Sequence, residues 1–235
     1  MPPVPARLFS PIEVSSAPSL VFEAVRSAMF SGQLEPGAAL RELHLARELK
    51  VSQATVREGL LQLEHAGFVV RIPNNGTYVV DLSSKQVRER CSVRIQLEQY
   101  AAVEAASRLS SAEFAALDRQ VHEISRLAAE NAYCRMEEVD LEFHRSIWKR
   151  AGNAVLLRTL EQVAAPLFHY ISMRHSQARE NLAAMTRPHE PILASMRSGE
   201  EEVIRRAVRE HIEDAYREYI DAAMLDVTPA DAATN

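Results

Sequence analysis

Cysteine, glycine-rich loops and long apolar runs are all scarce in this sequence of 235 residues. No apolar run approaches the roughly 20 residues that a helix needs to cross a bilayer, so we expect no membrane segment. The two cysteines, Cys91 and Cys134, fit no metal-binding or redox spacing, and we expect reduced thiols in a cytoplasmic protein. Residues 1–18 contain several prolines but no compact apolar signal core, which predicts a flexible N-terminal arm.

Positive charge is also scarce, which weighs against the usual sign of a nucleic-acid-binding protein. The net charge is −5, and residues 19–82 hold six Lys/Arg against seven Asp/Glu. DNA affinity rests largely on neutralising phosphates, so a DNA-binding module is usually more basic than this. Charge alone would therefore not indicate a DNA-binding protein. A dimer can still gather a local positive surface from Arg41, Arg47, Lys50, Arg57 and Arg71.

The most informative pattern begins at Leu40 with two short helices. Residues 41–50 place apolar side chains on one helical face, and residues 52–65 do so at i, i+4 and i+7. Ser52 is a good N-cap for the second helix, because its side-chain oxygen can accept from unpaired amides of the first turn. The short connection suits the steep crossing of a helix-turn-helix. The apolar residues concerned are Leu45, Ala46, Leu49, Val56, Leu60 and Leu63.

Two β-forming runs follow the second helix, at Phe68–Ile72 and Thr77–Val80. Asn75-Gly76 between them is a strong hairpin signal, because both residues tolerate positive φ. The helix pair is therefore predicted to be followed by a β-hairpin wing.

A further helix is predicted before this pair, at Ser19–Gly32, with Leu20, Val25 and Met29 on its core face and glycine as its stop. Three helices and a terminal hairpin make up a winged helix-turn-helix. We predict that residues 19–82 form this domain.

The pattern resembles the DNA-binding domain of the GntR superfamily of bacterial transcription regulators. The resemblance rests on Gly32, Leu34, Pro36, Gly37, Leu40, Glu42, Leu45, Ala46, Leu49, Val51, Ser52, Val56, Arg57, Glu58, Leu60, Leu63, Gly67, Asn75 and Gly76. In such a domain the exposed start of the recognition helix and the tip of the wing meet DNA. The residues then expected at DNA are Arg41, Ser52, Gln53, Ala54, Thr55, Arg57, Asn75 and Gly76.

Three positions depart from the family pattern. The family usually has glycine where Lys50 stands, arginine at Gln53, and often Thr-Pro at Ala54-Thr55. An arginine at that place can read guanine bidentately or grip phosphate, whereas glutamine addresses adenine. We therefore expect an altered operator sequence and retained DNA binding.

From Ser83 onward the sequence is almost entirely helical, with a capping box formed by Ser83 and Gln86. We predict an α-helical bundle over residues 83–226 and a disordered tail over 227–235. The predicted helices are 84–109, 111–131, 134–151, 154–181, 188–198 and 200–225.

A helical domain behind a winged helix resembles the FCD ligand-binding domain of the fatty-acid-regulator (FadR) branch of GntR proteins. Six helices suit its vanillate-regulator-like subgroup, and a break within 154–181 would give seven. The fold class is therefore mainly α, with one small β-hairpin.

Four residues of this bundle could bind a metal ion. Asp140 and His144 leave one helix face at i and i+4, while His189 and His211 lie on two other helices. Three imidazoles and a carboxylate suit Zn²⁺, Ni²⁺ or Mn²⁺. From spacing alone, hydrogen-bonded core histidines are the commoner outcome. The resemblance favours a metal, with zinc preferred, because many FCD domains use a D-x3-H pair and histidines in the last two helices.

Arg94 is the candidate effector-binding residue. It lies on the core-facing side of an otherwise apolar helix, where a cation needs a partner such as a bidentate carboxylate. Glu98 at i+4 is the alternative partner. Similar arginines in FCD domains contact the effector.

These observations favour a non-enzymatic, ligand-responsive transcription regulator, most often a repressor in this family. We expect a homodimer on a palindromic double-stranded DNA operator, controlled by a small carboxylate. Two alternatives stay open. The metal itself could be the signal, or the site could belong to a metal-dependent hydrolase. The second is disfavoured because four ligands leave little room for a catalytic water, and Glu142 points away from Asp140.

Overall fold

The computed structural model describes residues 17–178, 181, 183 and 186–217. The predicted tail at 227–235 and all of the predicted arm except residues 17 and 18 lie outside this part. The described residues form nine helices and three strands. In chain order these are α1 (Ala17–Phe30), β1 (Ala39–Leu40), α2 (Glu42–Glu48), α3 (Gln53–Ala66), β2 (Val69–Ile72), β3 (Gly76–Val79), α4 (Ser84–Ala106), α5 (Ser111–Ala129), α6 (Tyr133–Arg150), α7 (Ala154–Ala178), α8 (Glu190–Ser198) and α9 (Glu201–Ala215).

Helix α1 packs closely on the recognition helix α3. Its buried stripe is Val21, Val25 and Met29, and a Cβ added to Gly59 of α3 would lie 2.7 Å from Val21 Cγ1. The prediction of Leu20 as a core residue is wrong, since it is 67% exposed. Successive side chains of an α-helix are rotated by about 100° around its axis. Leu20, one residue before Val21, therefore points away from the buried stripe of Val21, Val25 and Met29.

The turn between α2 and α3 holds Lys50 in the left-handed region, at φ 53°. A side chain in this conformation brings Cβ close to the following carbonyl, whereas glycine has no such penalty. This gives a physical reason for the glycine that the family usually has here. Ser52 caps α3 as predicted, accepting from Thr55 N at 3.1 Å.

The wing is a three-stranded antiparallel sheet in the order β1-β3-β2, and the sequence did not predict the two-residue strand β1. Its turn also differs from the expected Asn75-Gly76 pair. Asn74 has φ 61° and Gly76 φ 123°, and Asn75 N donates to Ile72 O at 3.0 Å. With Pro73 at the second position and positive φ at the third, this is a type II turn.

Six helices follow the wing within the described residues, and each begins within two residues of its predicted start. Helix α9 ends at Ala215, whereas the prediction runs to 225. Residues 179, 180 and 218–225 of the predicted helices lie outside the described part. Ser83 and Gln86 form the predicted capping box. Helix α7 runs unbroken to Ala178 although Pro166 lies inside it. Proline cannot donate to the carbonyl of Gln162 four residues earlier, but Arg90 Nη1 donates to that oxygen at 3.1 Å. The arginine thus replaces the hydrogen bond that the proline removes.

Helix α7 also joins the helical domain to the winged module. His169 Nε2 lies 2.6 Å from the carbonyl oxygen of Ala66 at the end of α3, and its ring stacks on Phe68 at 3.6 Å between centroids. Further along α7, Ser176 Oγ donates to Phe30 O at 2.6 Å and Gln177 Nε2 to Met29 O at 3.0 Å. One helix therefore contacts the ends of both α1 and α3.

Candidate functional site

The four predicted metal ligands converge inside the helical domain. Asp140 and His144 lie on α6, His189 is the N-cap of α8, and His211 lies on α9. One ring nitrogen from each histidine lies within 4.8 Å of the others. Asp140 Oδ1 is 2.9 Å from His189 Nε2 and 3.6 Å from His144 Nε2. The folding of three helices against one another thus assembles the cluster.

Three buried polar atoms of this cluster make no well-directed hydrogen bond, namely Asp140 Oδ1, His144 Nε2 and His189 Nε2. Asp140 Oδ1 and His189 Nε2 are nevertheless in ion-pair contact at 2.9 Å. His144 Nε2 lies 3.6 Å from Asp140 Oδ1 and has no hydrogen-bond partner, whereas nearly all buried polar atoms in proteins are paired. A metal ion would bind all three atoms, and these donors suit zinc.

The outer contacts orient two of the histidines toward that point. His144 Nδ1 lies 2.9 Å from Glu98 Oε2, and His211 Nδ1 lies 3.2 Å from Pro188 O. A proton on each Nδ1 satisfies these oxygens and leaves Nε2 with its lone pair for a ligand. The sequence indicates Glu98 only as a partner of Arg94. Its contact with His144 joins positions 46 residues apart and has no signal in the sequence.

The ionisation states also suit metal binding. Burial lowers the pKa of His144 and lowers that of His211 well below the ordinary value, so both are neutral near pH 7. Burial would raise the pKa of Asp140, but the neighbouring imidazoles, His189 first, lower it to about 2. Neutral histidines and an ionised carboxylate are the forms that bind metals.

Arg94 is buried beside this cluster and is partnered within the protein. Its Nε donates to Glu98 Oε1, its Nη1 donates to Tyr216 Oη at 3.0 Å, and its guanidinium lies 4.4 Å from the centre of the Phe168 ring. Glu98, the alternative partner predicted from the sequence, therefore pairs with Arg94 in the structure. Arg94 also lines a cavity of about 70 Å³ together with Asp140, His189, His211 and Tyr216.

Glu142 does not join the cluster. Its Oε1 lies 2.8 Å from Lys149 Nζ on the outer side of α6. This agrees with the expectation that it faces away from Asp140.

A second candidate surface lies at the start of α3. Ser52, Gln53, Ala54 and Arg57 are exposed there and Thr55 is half-buried. Val56, Leu60 and Leu63 on the opposite face are buried, which fixes the direction in which the exposed face points. Arg41 and the wing-tip residues Asn75 and Gly76 line a groove of about 310 Å³. Seven of the eight residues predicted at DNA thus lie at the start of α3 or at the tip of the wing. Arg41, the N-cap of α2, lines the same groove as the wing tip.

Two models of known families match the chain. The model described as bacterial regulatory proteins of the gntR family matches residues 19–79, and the FCD domain model matches residues 89–214. The chain belongs to the GntR family. Within this family it is a member with an FCD domain, and the family and its curated relatives are transcription regulators rather than enzymes.

Several relatives of this GntR protein have been described. The HTH-type transcriptional repressor RspR of Escherichia coli (strain K12) is 25% identical over 83% of this chain and 85% of its own length. The "Probable D-xylose utilization operon transcriptional repressor" of Paenarthrobacter nicotinovorans is 30% identical over 77% of this chain and 79% of its own. Repressors therefore occur among its relatives.

A solved structure supports the fold of this GntR protein. That of E. coli McbR/YncC covers 89% of this chain and 100% of its own, with a TM-score of 0.66 and 23% identity. None of the helices in the described residues combines the length and apolar character that crossing a membrane requires.

Proposed function

We propose that this GntR protein is a cytoplasmic repressor that binds a palindromic operator as a homodimer and responds to a small organic acid at a metal site. The observation that supports the effector site is the convergence of three imidazoles and a carboxylate beside a cavity lined by Arg94. The two relatives that are repressors support the sign of regulation.

The metal would be held by Asp140, His144, His189 and His211. Zinc is the favoured ion for three imidazoles and one carboxylate. When bound, it would supply a positive centre for a carboxylate oxygen of the effector. The small cavity of about 70 Å³ favours a small acid.

A bound metal ion would favour a negatively charged effector at the cavity. Two arginines, Arg94 and Arg187, line the cavity together with the carboxylate of Asp140, and Glu98 pairs with Arg94. A divalent ion would add positive charge to this group and make the cavity more attractive to an acid.

Helix α7 gives a physical route from the cavity to the DNA-binding module. Phe168, Ser172 and His175 of α7 line the cavity, whereas His169 and Gln177 on its other side contact the winged module. An effector that binds more tightly when α7 is in one position than in another would favour that position. It would thereby favour one orientation of the winged module over others. The linker around residues 81–85 is the proposed hinge.

Exposed apolar side chains support the homodimer. Val93 and Tyr100 lie seven residues apart, on one face of α4, and are 46% and 44% exposed. Two-fold symmetry would then present two recognition helices to two half-sites. Sedimentation analysis tests this proposal, and a monomer at micromolar concentration would contradict it.

Thermal unfolding tests the effector site. Chelator-stripped protein is heated with and without Zn²⁺, Ni²⁺ or Mn²⁺, each against a panel of small carboxylic acids. A ligand that binds only the folded state stabilises it by about 2.7 kcal/mol at 100 times its dissociation constant. We expect a metal-dependent shift that one acid enlarges.

Variants make this test specific. His189→Ala and His211→Ala should abolish the metal shift, while His122→Ala, which removes an exposed histidine of α5, should leave it unchanged. If no metal raised the unfolding temperature, the four residues would be a buried polar cluster that binds no metal. DNA binding that follows the metal with no acid present would make the ion itself the signal.

A further inference from the structure

Glu42, in the first turn of α2, joins the recognition helix through three hydrogen bonds. Its Oε1 accepts from Arg57 Nε at 3.1 Å, and its Oε2 accepts from Arg57 Nη2 at 2.8 Å and from Gln53 Nε2 at 2.9 Å. Gln53 and Arg57 are one turn apart on the exposed face of α3. We call these three residues the Glu42 cluster.

The Glu42 cluster determines which edge of the Arg57 guanidinium can donate hydrogen bonds to a base. The Nε–Nη2 edge is occupied by the carboxylate, and the opposite edge, with Nη1 and the second N–H of Nη2, remains. This edge still offers two parallel donors, which match O6 and N7 of guanine. The Arg57 side chain is 53% exposed while that of Glu42 is 21% exposed, so Glu42 lies behind the arginine as seen from solvent.

The same carboxylate fixes the orientation of the Gln53 amide. An ionised carboxylate only accepts hydrogen bonds, so it selects the amide orientation that turns the NH₂ group toward it. Oε1 and the second N–H then remain for DNA. One acceptor beside one donor matches the N6–H and N7 edge of adenine.

We propose that Glu42 is a specificity-positioning residue, which sets the hydrogen-bonding pattern that Arg57 and Gln53 present to the bases. A carboxylate this close to DNA repels phosphates and lowers non-specific affinity, so its contribution is to discrimination between sequences. The proposal rests on DNA binding by the winged module and is independent of the metal and the acid.

Glu42→Gln tests the proposal because it replaces one acceptor oxygen by a donor without changing the shape of the side chain. Gln53 Nε2 and Arg57 Nη2 share Oε2, whereas Arg57 Nε donates to Oε1. With its NH₂ group at the Oε2 position, the introduced amide would face the donors of Gln53 and Arg57 Nη2. With its NH₂ group at the Oε1 position, it would face the Nε–H of Arg57. In either orientation a donor meets a donor, so the variant no longer fixes Gln53 and Arg57 together. Duplexes are selected from a random-sequence library with the full-length wild type and with the variant, and Gln53→Ala locates the base that Gln53 contacts.

At that base we expect the wild type to prefer adenine, and in Glu42→Gln we expect weaker discrimination there or at the base that Arg57 contacts. Discrimination should fall about tenfold, while affinity for unselected duplex should rise because a negative charge is lost. Glu48→Gln is the matched control. It removes the same charge from the same helix, at a side chain that is 61% exposed, and should raise affinity without changing base preference.

Glu42→Asp provides a second variant, because it keeps the charge but withdraws the carboxylate by one methylene. Discrimination should fall here without a gain in affinity for unselected duplex. Identical base preference and discrimination in the wild type and both Glu42 variants would overturn the proposal, as would complete loss of duplex binding in variants whose thermal unfolding is normal. A wild type that selected no sequence would overturn the proposed operator binding as well.

Discussion

Two glutamates in this protein each hold an arginine and a second side chain, and they differ chiefly in burial. Glu42 contacts Arg57 and Gln53 at the surface of the winged module. Glu98 contacts Arg94 and His144 in the helical domain, where all three side chains are at most 6% exposed. We call the latter three residues the Glu98 cluster.

The difference shows what one chemical arrangement does in two environments. At the surface, water competes for the charges, so the Glu42 cluster can orient side chains while adding little stability. In the interior, losing one member leaves a charge without a partner. Burial opposes ionisation of Glu98, yet Arg94 and His144 hold its pKa far below the ordinary value. The Glu98 cluster therefore combines orientation with stability.

The largest expected effect is that of Glu98→Ala. It leaves the Arg94 guanidinium buried without its carboxylate, and we expect a loss of about 3–5 kcal/mol in the free energy of unfolding. Glu42→Ala should cost far less, because water screens the ion pair between Glu42 and the exposed Arg57. Urea unfolding of both variants measures the contrast, and equal losses would remove the distinction between the two clusters.

Acid should narrow the stability difference between the wild type and Glu98→Ala. A lowered folded-state pKa contributes stability above the unfolded value of about 4.3, and this stability is lost as the pH falls toward the folded value. Urea unfolding at pH 7 and at progressively lower pH tests this expectation. A stability difference that stayed constant down to about pH 3, more than one unit below the unfolded value, would contradict it.

Glu98→Gln should weaken metal binding. The NH₂ group of the introduced amide would donate a hydrogen bond to His144 Nδ1. This selects the imidazole tautomer whose proton is on Nε2, the atom that would bind the metal. Loss of such an outer contact typically costs about 10–100-fold in metal affinity. Zinc titration against a chromophoric chelator measures the change, with Glu42→Gln as the control at the other cluster. Unchanged affinity would show that Glu98 does not set the tautomer of His144.

Gln53→Arg alters the Glu42 cluster without touching Glu42. An arginine here adds a charge and the bidentate guanine pattern, so base preference at this position should move from adenine to guanine, by about 1–3 kcal/mol of discrimination. Competition binding with duplexes that differ at one base pair measures the shift. An unchanged preference would show that residue 53 does not read the operator.

The smallest expected effect is that of Lys50→Gly, in the turn that joins the two helices of the Glu42 cluster. Relief of the left-handed conformation should stabilise the protein by about 1 kcal/mol. Lys50→Ala removes the same charge but keeps Cβ, so it should bring no gain. Equal stabilities for the two variants would show that the turn is not strained.

The sequence was sufficient to predict most of the elements and to name the residues that the fold brings together at the candidate metal site. Helical periodicity, the capping serines and the hairpin residues are local signals, and the D-x3-H pair is local as well. The prediction failed where packing decides. Leu20 lies one residue outside the buried stripe, and β1 exists only because it pairs with β3.

The partners of Glu42 and the contact of Glu98 with His144 could not be predicted either, for a different reason. Glu42 meets Arg57 across a turn, 15 residues away, and Glu98 meets His144 from another helix. Such contacts depend on the angle between helices, which no periodic pattern in the sequence contains. The sequence thus predicted the candidate residues of each site and the Arg94–Glu98 pair, but not the contacts between helices.

The end of the recognition helix lies beside Pro166 of α7. A methyl group on Gly67, the C-cap of α3, would lie 3.2 Å from the proline ring, which is tighter than ordinary van der Waals contact. The missing side chain therefore lets the end of α3 lie close to α7. Any larger residue at this position would push the winged module away from the helical domain.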